Sequence, residues 1–88
     1  MKIKGNYIKR TIAGEHMLVP VGQSAMEHPG LFAMNETASF IWDILQECSD
    51  TDQIVERLLE EYDTDEETAR KDMNTFIGKL SELDMIEV

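Results

Sequence analysis

Eighty-eight residues with 18 acids, 8 bases and 42% apolar side chains allow one domain with a modest core, and leave little room for a deep substrate cavity. The net charge of −10 argues against nucleic acid and anionic membrane as partners. No apolar run is long enough to span a bilayer, and one cysteine excludes an internal disulfide. The charge is uneven: Lys2, Lys4, Lys9 and Arg10 against Glu15 leave +3 over residues 1–22, whereas residues 23–88 sum to −13. Such an acidic part favours solubility and can steer the chain toward a basic surface. Residues 1–6 contain no hydrophobic stretch of the signal-peptide kind, so the expected location is cytoplasmic.

Residues 6–13 read as a strand with Ile8 and Ile12 on one face and Tyr7, Lys9 and Thr11 alternating. A tight turn over residues 13–16 follows, with Gly14 free to take positive φ. Residues 16–21 form the return strand, where Met17, Val19 and Val21 share a face and Pro20 marks an edge or the strand end. Residues 22–30 read as a loop, and residues 31–34 as a short third strand. Asn35 then caps a helix over residues 36–47, with Glu36 at its positive end. Ala38, Ile41, Trp42 and Leu45 fall on one face of it, with Trp42 and Ile41 in the core. A second helix starts after Asp50, which has capping-box spacing to Gln53, and runs to Tyr62 with Ile54, Val55 and Leu58 inward. A third starts at a capping box from Thr64 to Glu67 and runs to Leu83, with Ala69, Met73, Phe76, Ile77 and Leu80 apolar. Residues 85–88 form an extended tail. A three-stranded antiparallel sheet followed by three helices is an α+β, winged-helix-turn-helix-like domain, with the hairpin as the wing.

The residues offer little catalytic chemistry. His16 and His28 are separated by a turn, a strand and a loop, and one cysteine cannot build a zinc site, so both histidines read as surface residues and no metal is expected. Cys48 has no histidine near it in sequence and reads as a filler thiol. The five glycines are scattered, so there is no phosphate loop, and Ser49 is a poor match to a carrier-protein attachment serine. No cofactor is expected. The alternative reading, a winged-helix nucleic-acid-binding or transcription-regulatory protein, meets a third helix with six acids against Arg70, Lys71 and Lys79. What remains is strand addition. A short strand Leu31, Phe32, Ala33, Met34 at a sheet edge offers unpaired backbone groups, and the third helix can form the facing wall. Met73 and Ile77 share a face there, with Arg70 and Asn74 beside them.

The segment Met34-Asn35-Glu36-Thr37-Ala38-Ser39-Phe40-Ile41-Trp42 resembles the Leu-Asn-x-x-Ala-x-x-Ile-Trp signature of the PqqD family, with Met34 in place of leucine. Residues 50–58 and 61–63 resemble that family's second helix and its exit. Asp72-Met73, Phe76, Ile77, Leu80 and residues 83–86 resemble its third helix and tail. The resemblance covers nearly the whole chain. It implies a single, non-catalytic peptide-binding domain over residues 1–88, a recognition element for ribosomally made, later modified peptides. An extended leader would lie antiparallel to the third strand and against the third helix. The implied site is Leu31, Phe32, Ala33 and Met34 as the edge and Arg70, Met73, Asn74 and Ile77 as the wall. The implied partners are a precursor peptide and a peptide-modifying enzyme such as a radical SAM protein. The same edge is also open to a second copy as a homodimer.

Overall fold

The computed structural model describes residues 1–27 and 30–87. His28 and Pro29, placed by sequence in a surface loop, and Val88, placed in the tail, lie outside the described residues. The elements are β1 (Lys2–Ile3), β2 (Tyr7–Ile12), β3 (Glu15–Pro20), α1 (Gln23–Glu27), β4 (Phe32–Met34), α2 (Glu36–Ile44), α3 (Thr51–Glu61), α4 (Glu66–Glu82) and β5 (Ile86–Glu87). A 3-10 turn, Leu45–Glu47, extends α2. β2, β3 and β4 form an antiparallel sheet in that order, and β1 pairs with β5 in a separate antiparallel ribbon. The α+β expectation of a three-stranded sheet and three main helices holds. The ribbon tying the two ends together was not anticipated.

Ile12 pairs with Glu15, so Ala13 and Gly14 alone make the hairpin turn. Their φ values of 52° and 80° are both positive, the signature of the type I′ turn that matches strand twist. Register puts Tyr7, Lys9, Leu18, Phe32 and Met34 on the face toward the helices and Ile8, Ile12, Met17, Val19 and Ala33 on the other. Ile8 and Ile12 are accordingly exposed, while Leu18 of the central strand is fully buried. Pro20 ends β3, where its missing donor costs no ladder bond.

The stretch read as a loop contains α1 instead. One turn of helix has no apolar period to betray it. Its anchor is Ser24, which is buried and whose Oγ accepts the Asn6 N–H at 2.9 Å. Gly5 passes so close that a Cβ there would lie 2.5 Å from the same Oγ.

The main helices start where short polar side chains can cap them. Asn35 accepts the Ala38 N–H at 2.8 Å, and Asp50 accepts the Gln53 N–H at 3.0 Å. The cap of α4 is Asp65, one residue beyond the expected Thr64, and its carboxylate accepts the Thr68 N–H at 2.7 Å. That bond holds the Asp65 carboxyl below its ordinary range. α4 ends in a Schellman turn: Met85 donates to Leu80 and Asp84 to Ser81, with Asp84 at φ 57°. This turn sends Met85 and Ile86 back into the core, next to β1. Leu18, Ile41, Leu45, Ile54, Leu58 and Leu80 are almost wholly buried together. Each contributes about 1.5–3 kcal/mol by leaving water. Trp42 meets Tyr7 edge-on at 6.0 Å, which docks α2 against the sheet.

Candidate functional site

β4 is hydrogen-bonded to β3 along one side, and among the described residues no strand covers its other side. Its three residues pair with His16, Met17 and Leu18, so Phe32 and Met34 point toward the helices and Ala33 points away. The free side looks across a groove onto α4. Phe32 and Phe76 meet edge-on at 6.0 Å and form the floor of that groove.

A recess of about 160 Å³ lies along the edge. Phe32, Ala33 and Met34 border it on the strand side, Asn35 and Thr37 at the start of α2, and Asp72, Thr75, Phe76 and Lys79 on α4. The last four are spaced i, i+3, i+4 and i+7, one helical face. Neither Asp72 nor Lys79 has an ion-pair partner among the described residues. Beyond Phe32 a second recess of about 290 Å³ opens, lined by Tyr7, Leu18, Pro20, Leu31, Leu83 and Met85 with Glu27 and Gly30 at its rim. The two recesses share Phe32 and differ in character, the first polar and the second apolar.

The structure brings Phe32, Ala33 and Met34 to the groove and sets Leu31, 62% exposed, at the second recess. The expected wall residues of α4 are placed elsewhere. Met73 and Ile77 are buried in the core. Arg70 is bonded to Asp52 at 3.1 Å and Glu66 at 3.3 Å, which raises its pKa, and Asn74 is exposed outside the groove lining. The groove-facing residues Asp72, Thr75 and Lys79 are not among those that the sequence suggests, and Phe76, which sequence favours as core over groove, is buried and also borders the recess. The helical wheel contained them as one flank of the core stripe. Which flank faces β4 is set by how α4 is rotated against the sheet, and one helix does not encode that by itself.

Chemical groups elsewhere are quiet. Cys48 is buried, and burial pushes its thiol pKa up, away from the reactive thiolate. His16 Nδ1 lies 3.0 Å from the Thr11 hydroxyl. Among the described residues no three His, Cys, Asp or Glu side chains gather as a metal site, and no helix is long and apolar enough to cross a membrane.

The structure solved as "TbiB1 in Complex with the TbiA(beta) Leader Peptide" is similar to this one, with a TM-score of 0.72 and 25% identity. The match covers 99% of this chain and 95% of that one. No curated protein matches the sequence. The family model described as coenzyme PQQ synthesis protein D (PqqD) matches residues 15–86, so that the hairpin return, the open strand and all three main helices fall within it, and the chain belongs to the PqqD family.

Proposed function

We propose that this chain is a non-catalytic adaptor that holds the leader of a ribosomally made precursor peptide as an added strand on β4 and delivers it to a modifying enzyme. The observation that carries the reading is the uncovered, uncharged edge Phe32–Met34 lying across a groove from α4. The likeness to TbiB1, a protein solved with a leader peptide on it, supports the same use of the fold. Backbone pairing supplies sequence-tolerant affinity, about 0.5–1.5 kcal/mol net per hydrogen bond. Side chains on alternate guest residues enter the groove and supply selection. Leu31, Phe32, Ala33 and Met34 form the edge in this reading. Asp72, Thr75, Phe76 and Lys79 take the part of the wall first given to Arg70, Met73, Asn74 and Ile77.

Tethering the leader raises the concentration of the peptide's remaining segment at the enzyme to the order of millimolar. The adaptor then needs no reactive group of its own. The enzyme expected for this family is a radical SAM protein, working in the cytoplasm on a PQQ-type or other modified peptide. A second copy can occupy the same edge until the leader displaces it. A nucleic-acid role is disfavoured by the net −13 of residues 23–88.

The test is calorimetry with the leader of a candidate precursor peptide, found by a search for small reading frames near this gene, using wild type and Ala33→Pro. Proline removes a ladder donor or distorts the edge. Affinity is expected to fall at least tenfold, on the order of 1.4 kcal/mol. Unchanged affinity in a folded A33P protein contradicts the edge assignment.

A further inference from the structure

We infer that the groove selects its guest by order as well as by composition, taking a polar, hydrogen-bond-donating side chain first and a bulky apolar one two or four residues later in the peptide. This rests on the strand-addition reading and adds to it the chemistry and the direction of the leader. The sheet is antiparallel throughout, so the guest continues it by running opposite to β4. Its N-terminal part then lies beside Met34 and its C-terminal part beside Phe32 and Leu31. Guest side chains level with Met34 and Phe32 point toward α4, as those two residues do, and only even spacings keep two of them on that face.

The two places they reach are unlike. Beside Met34 the recess is about 160 Å³ and bordered by Asp72, Thr75 and Thr37, whose oxygens accept hydrogen bonds, while Lys79, also on its border, stands seven residues further along α4 than Asp72. Asp72 has no ion-pair partner among the described residues, so a donor arriving there meets a free carboxylate. Past Phe32 the recess is about 290 Å³ and is walled by Tyr7, Leu18, Pro20, Leu83 and Met85, with the Glu27 carboxylate at its rim. That volume admits a leucine or an aromatic ring, and a charged group entering it loses its hydration. A leader with the reverse order places each side chain in the unfavourable recess.

The probe is a phage-displayed library of random 12-residue peptides, selected on the immobilised protein and read by sequencing. Four proteins are compared: wild type, Asp72→Lys, Leu83→Glu and Ala33→Pro. Asp72 and Leu83 are exposed, so their replacement leaves the core intact. The wild-type pool is expected to be enriched about tenfold or more for donor-then-apolar pairs at spacing two or four, and A33P is expected to lose enrichment. D72K should turn the first preference from hydrogen-bond donors to acceptors and acids, and L83E should erase the second. A wild-type pool enriched by an A33P-sensitive route but with no such order, with the reverse order, or with preferences untouched by D72K and L83E overturns this inference and leaves strand addition standing. No enrichment on wild type, or enrichment equal on A33P, overturns both.

Discussion

The two edges of the three-stranded sheet differ in length, charge and surroundings. β2 is six residues long and carries Lys9 and Arg10. Lys9 points inward, and its Nζ is bonded to Asp43 at 2.5 Å and Ser39 at 3.1 Å on α2. An inward-pointing charge is one of the devices by which sheets discourage pairing at an edge. β4 has three residues, none charged, and a groove beside it. Both strands are edges by topology, yet only one is left unguarded. The contrast supports the proposal that the guest adds to β4, since an undefended rim is an aggregation hazard that a protein retains where pairing has a use.

The largest expected effect tests what supports both rims. Leu18 lies in the central strand with no exposure, facing Lys9 on one side and Phe32 on the other. Leu18→Ala should cost about 2–5 kcal/mol in denaturant unfolding. A loss under 1 kcal/mol would mean that the sheet is not seated on the helices as described. Next, transferring the guard should reverse the contrast. Ala33→Lys places a charge on the β4 edge and should weaken peptide binding several-fold. Lys9→Met removes one from β2 and should raise self-association in sedimentation, while changing stability by only about 0.2–1 kcal/mol. No gain in self-association would show that β2 is closed for another reason.

A smaller effect follows from the cap just after β4. Asn35→Ala should cost about 1 kcal/mol in thermal unfolding, because the first turn of α2 loses its side-chain acceptor. Peptide affinity should fall with it, since Asn35 also borders the groove. The smallest effect concerns acid. The Asp65 carboxyl is depressed chiefly by the Thr68 N–H, so its contribution is complete above the ordinary value of 3.8 and is lost as pH falls through the lower folded value. Acid titration of α4 by circular dichroism should lose this component in Asp65→Asn, with the β2–β3 hairpin unaffected.

How legible this was depended on range. Features set within a few residues were readable. Asn35 followed by Glu36 announced the start of α2, Ala13-Gly14 the hairpin, and the Leu58 and Leu80 stripes the buried faces. The edge Phe32–Met34 was also visible, as a short apolar run before a cap, although the run reads as starting at Leu31, one residue before the strand. Contacts between distant residues were not. Nothing in Lys2-Ile3 shows that it pairs with Ile86-Glu87, a partner more than 80 positions away. Thr64 and Asp65 both offer a capping oxygen, one residue apart, and local spacing does not choose between them. The groove side of α4 failed to appear because it too is set at long range: rotating the helix by a fraction of a turn exchanges the flank bearing Asn74 for the one bearing Asp72 and Lys79.

Backbone amide exchange of the free and peptide-loaded protein, followed residue by residue, separates the two rims in one experiment. The account predicts slowed exchange within Phe32–Met34 on loading, with Tyr7–Ile12 unchanged. Protection appearing on β2 instead, or β4 amides exchanging at their free rate while peptide is bound, contradicts it.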